Sequence, residues 1–264
     1  MSFITANQIT LHYVSDGAQT GMPLVFINSL GTNLHLWDAL VPSLPAQYRF
    51  LRYDKRGHGL SDTPPAPYSI RDHSCDLTAL MEQLRIDKAI VIGISVGGLI
   101  AMDFAIQHPE QVQALVLCDT FPRIGTPESW SERIQAVREQ GLPAMAQTIM
   151  GRWFMPAFAS QRPADFQGFT NMLIQTPLEG YIGTCAALRD ADLHEAVSQI
   201  KAPNLILCGA QDISTPPRLV HGLAESLPDA RFRVIEAAAH LPCVEQPEAM
   251  AAAIQQFLQE IEHV

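Results

Sequence analysis

Ala89-Ile90-Val91-Ile92-Gly93-Ile94-Ser95-Val96-Gly97-Gly98-Leu99-Ile100-Ala101 sets a Gly-x-Ser-x-Gly turn between two apolar segments. The residues before the turn are largely β-branched, as in a strand buried on both faces of a parallel sheet. Those after it are small and helix-forming through Gln107, where His108-Pro109 ends the run. Ser95 therefore falls on a tight strand-to-helix bend with its hydroxyl pushed out of the sheet. Glycines two residues to either side keep side chains from colliding across that bend.

The flanking sequence repeats the strand-helix rhythm. Phe3–Ala6 and Ile9–Val14 alternate as an antiparallel hairpin. Pro23–Asn28 and Tyr48–Asp54 read as strands, with a helix predicted between them over Leu36–Leu44. Residues Ile70 to Leu84 place Leu77, Leu80, Met81 and Leu84 on one helical face. Gln113–Asp119 is a further strand, and at about Phe121 the rhythm stops. From there to Leu188 the pattern is helical, broken by prolines and rich in Met, Trp and Phe, among them Met145, Met150, Trp153, Phe154, Phe158 and Phe169. These residues suit two tasks together: fastening helices to the main domain and walling an apolar pocket. The rhythm then resumes with a strand at Asn204–Gly209, a helix over Pro217–Leu227, a strand at Phe232–Ile235 and a helix from Pro247 to Ile261. The fold class is α/β: a mostly parallel eight-stranded sheet flanked by helices. Residues 1–121 and 189–264 form its core, and 122–188 an inserted helical cap.

With 264 residues, 47% hydrophobic and 17% charged, the chain is long enough for one large α/β domain. A net charge of −10 with no basic stripe argues against a nucleic-acid partner. An anionic small molecule would thus need a local cation in its pocket. No apolar run approaches the roughly 18 residues of a membrane span. The N-terminus has neither the basic nor the apolar region of a secretion signal. The five scattered cysteines predict reduced, mostly buried thiols and a cytoplasmic setting. No His, Cys or Asp group shows metal-ligand spacing, so no metal is expected.

Gly93-Ile94-Ser95-Val96-Gly97 between strand and helix resembles the nucleophile elbow of the α/β-hydrolases. That resemblance implies a Ser-His-Asp triad in the chain order Ser, Asp, His. The serine is a poor nucleophile until a histidine, oriented by an acid, takes its proton. His240, in the loop after the last strand, is the expected base. His12 lies in the first hairpin, His108 caps a helix, His58 sits in a structural turn and His263 is terminal; His35 is the nearest rival. Asp212, after the strand ending at Gly209, is the expected acid. Asp119 competes because it also follows a strand, although it could equally serve as a loop or helix-cap carboxylate. The oxyanion donors are the N–H of Val96 and, by the resemblance, that of Leu30 in Asn28-Ser29-Leu30-Gly31. There Asn28 and Ser29 replace the His-Gly common in the superfamily.

Three segments together resemble a narrower family, the 3-oxoadipate enol-lactonases of the β-ketoadipate pathway of aromatic catabolism. They are Asn28-Ser29-Leu30-Gly31-Thr32-Asn33-Leu34-His35-Leu36-Trp37, Tyr53-Asp54-Lys55-Arg56-Gly57-His58-Gly59-Leu60-Ser61-Asp62, and the elbow itself. The resemblance implies a cofactor-free hydrolase that opens a small anionic enol-lactone. Arg133, Arg138, Arg152 and Arg189 are candidates for holding the substrate carboxylate, and Trp130 or Trp153 for walling the ring. Arg56 reads as a structural ion-pair partner. A carboxylesterase, a cofactor-free perhydrolase or a C–C hydrolase shares these features. A ligand-binding receptor on this fold is the non-enzyme alternative.

Overall fold

The computed structural model describes residues 1–262; His263 lies outside the described residues. In chain order the strands are β1 (Ser2–Ala6), β2 (Ile9–Gly17), β3 (Pro23–Ile27), β4 (Arg49–Tyr53), β5 (Ala89–Ile94), β6 (Val112–Cys118), β7 (Asn204–Gly209) and β8 (Ala230–Ile235). They form one sheet in the order β1-β2-β4-β3-β5-β6-β7-β8. The β1/β2 and β2/β4 pairs are antiparallel and all others parallel. β5 is buried at every residue, as its uninterrupted apolar sequence requires.

The helices are α1 (Ile70–Gln83), α2 (Val96–Gln107), α3 (Pro127–Trp153), α4 (Phe158–Gln161), α5 (Pro163–Ile174), α6 (Leu178–Asp190), α7 (Pro217–Ser226), α8 (Pro242–Glu245) and α9 (Pro247–Glu262). α1 begins at a reciprocal cap: Ser69 Oγ accepts the Asp72 N–H, and the Asp72 carboxylate accepts the Ser69 N–H. The helix expected over Leu36–Leu44 is instead two 3₁₀ turns, Leu34–Trp37 and Val41–Ser43. Pro42 donates no backbone hydrogen bond, and the stretch is too short to recover a full α-helical ladder around it. α3 through α6 are inserted between β6 and β7, with α3 packed along α6 and against α5. α3 is itself broken at Gly141, two residues before Pro143. The aromatic residues of this region divide by task. Phe154 stacks on Phe158 at a centroid distance of 4.1 Å and also touches Phe166 and Phe169, fastening α4 and α5.

The elbow is strained. Ser95 sits at φ 57°, ψ −122°, a conformation costing on the order of 1–3 kcal/mol for a residue with a side chain. A Cβ on Gly93 would lie 2.2 Å from the Gly97 carbonyl oxygen, and one on Gly97 2.1 Å from that of Ile27. Hydrogen bonds hold the bend from both sides. Ser95 N–H donates to Cys118 O at 2.9 Å, and Thr120 Oγ1 donates to Ser95 O at 2.7 Å. Ser95→Gly relieves the strain and Ser95→Ala does not. After deducting the extra freedom of glycine in the unfolded chain, Ser95→Gly is expected to exceed Ser95→Ala in unfolding free energy by about 1 kcal/mol, read from urea midpoints. Equal midpoints would mean the backbone is relaxed.

α1 meets the inserted helices through His73, which lies edge-on to Tyr68, with Nε2 3.4 Å from Thr184 Oγ1 on α6. Its buried Nδ1 has no protein partner. Burial, then the charges of Lys55 and Arg56, push its pKa well below the usual histidine value. The unfolded chain therefore binds a proton below about pH 6.5 that the folded chain resists, so this residue subtracts stability as pH falls through that window. His73→Phe removes the penalty. The difference in unfolding free energy, wild type minus His73→Phe, is expected to shrink between pH 7 and pH 5; a difference that stays flat or grows would contradict a neutral His73.

Candidate active site

Ser95, Asp212 and His240 follow β5, β7 and β8, at the carboxyl ends of parallel strands, where ligand sites of open α/β sheets form. His240 Nδ1 lies 2.8 Å from Asp212 Oδ2. Asp212 is otherwise saturated: Thr215 Oγ1 donates to Oδ2 at 2.6 Å and Ser214 N–H to Oδ1 at 2.7 Å. Burial works to raise the Asp212 pKa, but the His240 charge and these donors outweigh it and hold it at about 2. The carboxylate is thus ionised at neutral pH and fixes the proton on His240 Nδ1. Nε2 is left as the basic atom of the ring. Ser95 and His240 both line a cavity of about 370 Å³.

Asp119 does not reach this histidine. It is wholly buried, and its Oδ1 accepts the Gly209 N–H at 2.8 Å while its Oδ2 has no hydrogen-bond partner. Burial pushes its carboxyl well above the usual range, and the neighbouring Asp212 charge adds to the rise. Asp119 instead stands in the bend after β6 as a loop carboxylate, tying that bend to the end of β7. Ligand atoms of Asp119, Cys208 and Asp212 come within 4.8 Å of one another, a grouping that sequence spacing does not reveal. Their hydrogen bonds already go to one another's loops: Cys208 Sγ, for one, reaches the carbonyls of Gly209 and Thr215. His35, the other rival, is exposed and pairs with Asp38 at 2.7 Å, away from the cavity.

Leu30 and Ser29 line the same cavity. Val96 is the first residue of α2, so its N–H has no acceptor within the helix. Among the described residues the Leu30 N–H also has no protein acceptor. The loop carrying it is braced from beneath by the segment after β4. Lys55 Nζ donates to Ser29 O at 2.6 Å, and the Gly31 N–H donates to His58 Nε2 at 3.0 Å. Asn28 donates its side-chain amide to Thr32 O. Burial and the Lys55 charge keep His58 neutral, as its acceptor role needs, with Nδ1 facing Arg56 O at 3.1 Å. Arg56 is the expected structural partner, bidentate to Asp76 at 2.6 Å.

Sequence reasoning overlooked these braces, and Glu245 with them. The Glu245 carboxylate accepts the Ala239 N–H at 2.7 Å and the Met155 N–H at 2.9 Å, tying the loop before His240 to the inserted helices. No spacing rule announces it, because both partners are backbone.

The far wall comes from α3. Ser129, Arg133 and Ala136 sit at i, i+4 and i+7 on its first half; Met145, Ile149, Arg152 and Trp153 continue at i, i+4, i+7 and i+8 on its second. Trp130 completes the wall. Of the six residues offered as substrate contacts, Arg133, Arg152, Trp130 and Trp153 line the cavity. Arg138 is exposed and Arg189 pairs with Asp190; neither lines it. Arg133 Nη1 is 3.3 Å from Tyr181 Oη, and among the described residues neither Arg133 nor Arg152 has a carboxylate partner. One carboxylate, that of Glu132, also lines the cavity.

Residues 22–247 match the family model of the alpha/beta hydrolase fold. The chain is 38% identical over 252 residues to 3-oxoadipate enol-lactonase 2 of Acinetobacter baylyi, covering 96% of this chain and 94% of that protein. It is 31% identical to a pimeloyl-[acyl-carrier protein] methyl ester esterase of Neisseria meningitidis, covering 88% and 92%. The crystal structure of the enol-lactonase from Burkholderia xenovorans superimposes with a TM-score of 0.95 at 33% identity, over 98% of this chain and all of that one. No helix among the described residues is long and apolar enough to cross a membrane. The chain belongs to the α/β-hydrolase family, related to enol-lactonases and esterases.

Proposed function

We propose that this protein is a serine hydrolase that opens a small carboxylate-bearing enol-lactone of the 3-oxoadipate type. The observation that carries the substrate class is the pair Arg133 and Arg152. These are two guanidiniums without carboxylate partners among the described residues, in the cavity that Ser95 and His240 line. In a chain of net charge −10, two unpaired guanidiniums against one carboxylate in a pocket suit an anionic ligand. The kinship with enol-lactonases supports the same reading.

In this mechanism Ser95 Oγ attacks the lactone carbonyl as His240 Nε2 takes its proton. Asp212 stabilises the imidazolium without taking the proton itself. The Leu30 and Val96 N–H groups bind the developing oxyanion, with the positive end of α2 behind the second. Collapse breaks the ring C–O bond and expels an enolate, which His240 protonates. The enol tautomerises to the ketone, which makes ring opening hard to reverse. Water deprotonated by His240 then cleaves the acyl-enzyme and releases the dicarboxylate. Every proton is handled by His240 or water. In this reading 122–188 caps the core of 1–121 and 189–264, and the free cysteines fit a reducing cytoplasmic setting.

The test compares two substrates. Enol-lactone opening, followed by loss of its ultraviolet absorbance, is expected to exceed hydrolysis of a simple activated ester in kcat/KM. Ser95→Ala is expected to lower both by about 10⁴-fold or more. A lactone no better than the ester leaves a general esterase; undiminished Ser95→Ala activity removes the serine mechanism altogether.

Arg133→Met tests the anion site on its own. Loss of a charge-assisted contact of about 1.5–3 kcal/mol raises KM for the anionic lactone about tenfold to a hundredfold. The effect on a neutral ester of similar size is expected to be much smaller, and equal effects on both would assign Arg133 to packing.

A further inference from the structure

The Ser29–Leu30 peptide joins two groups with opposite duties. Its carbonyl belongs to Ser29 and its N–H to Leu30, and in a planar trans peptide the two point in opposite directions. Three donors hold the carbonyl: Lys55 Nζ at 2.6 Å, Thr32 Oγ1 at 2.9 Å and the Thr32 N–H at 3.3 Å. The next peptide is held as well, through the Gly31 N–H on His58 Nε2. Both peptide planes flanking Leu30 are therefore pinned by side chains of the segment after β4.

We propose that Lys55 is a positioning residue of the oxyanion hole: by drawing the Ser29 carbonyl into the interior it turns the Leu30 N–H outward, to the cavity shared with Ser95. The inference rests on the serine-hydrolase reading above and names what sustains one of its two oxyanion donors. Lys55 is 1% exposed, and burial drives its pKa well below the usual lysine value against the pull of Asp54. A lysine kept there against such a cost has a task that an apolar residue could not perform. Either protonation state of the amine donates to the carbonyl. A donor on that oxygen also polarises the peptide, strengthening its N–H for the group that arrives on the other side. The Val96 N–H is held separately: the Ser95 carbonyl of its own peptide accepts from Thr120 Oγ1 at 2.7 Å, and α2 follows it. The two donors are thus oriented by independent means.

Lys55→Met keeps the length of the stem and removes the donor. The expected result is a tenfold to hundredfold fall in kcat for an activated ester, less than losing an oxyanion donor outright. KM is expected to stay within about threefold, because the ground-state carbonyl leans little on the donor. Affinity for a boronic acid, whose oxygen occupies the oxyanion position after adding to Ser95, should fall in step with kcat. Affinity for a dicarboxylate product, which makes no oxyanion, should hold. Thr32→Val removes the hydroxyl donor to the same carbonyl; it is expected to give the same kcat-selective defect, smaller in size, and keeps the test open if Lys55→Met does not fold. Unchanged kcat and boronic-acid affinity in folded Lys55→Met, with Ser95→Ala inactive, would overturn the role of Lys55 alone. So would parallel losses of kcat, KM, product affinity and melting temperature, which mark a merely structural lysine. If Lys55→Met is unfolded, an unaltered kcat in Thr32→Val overturns it. Activity surviving in Ser95→Ala overturns the underlying reading, whatever Lys55→Met does.

Discussion

The first turn of α2 passes so close to β3 and β5 that two of its neighbouring positions admit no side chain. Gly93 lies against the Gly97 carbonyl, and Gly97 against that of Ile27. From that approach follow the positive φ of Ser95, the protrusion of its side chain into the cavity and the aim of the α2 amides at the same point. The approach also explains why β5 must be buried at every residue. A strained turn persists only where surrounding structure over-determines it, and here β5, α2 and the β6 carbonyl of Cys118 do so together. The strain is local, while the packing that sustains it extends across the sheet.

Beneath the site lies a polar layer that is costly in the same sense. Lys55, His58, His73 and the Arg56–Asp76 pair are all buried among apolar neighbours. Asp54 joins them, accepting from the N–H groups of Leu34 and Leu60 while facing His12 Nδ1 at 2.7 Å. A hydrophobic filling of equal volume would stabilise the fold at least as well. What it could not do is define where loop carbonyls and amides point. The layer spans the underside of the loop after β3, and the inserted helices meet it at two points, Thr184 beside His73 and Thr176 Oγ1 on the Gly31 carbonyl.

Much of this was legible in the residues. The strand-helix rhythm places six parallel-paired strands and the interruption after Phe121. The elbow, Asp212 and His240 stand at strand ends in a set order. Periodicity failed at Leu36–Leu44, where the apolar spacing is helical but Pro42 breaks the hydrogen-bond ladder. It also ranked Asp119 by its place after β6 alone. In the folded molecule that carboxylate turns to the Gly209 N–H while Asp212 takes the histidine, a choice of partner that residue identity does not disclose. The braces on Ser29, Gly31 and Ala239 escaped for a common reason: each is a side chain bonded to backbone, and backbone donors and acceptors leave no mark in residue identity.

Division of labour between core and insertion follows from how each group is held. Ser95, Asp212, His240 and the Leu30 loop hang from strand ends and are clamped by buried hydrogen bonds, so altering them disturbs several elements at once. The α3 wall is different. Ser129, Arg133 and Ala136 project from one face of a helix whose opposite face meets solvent, and Phe154 with Phe158, Phe166 and Phe169 fastens α4 and α5 apart from that face. The fastening residues and the lining residues are largely separate sets. Substitution along the lining can therefore change charge and shape in the cavity while the insertion stays attached and the chemistry beneath it stays intact. That separation leaves Ser95, Asp212 and His240 in place while a few helix positions set the charge and shape of the cavity beside them.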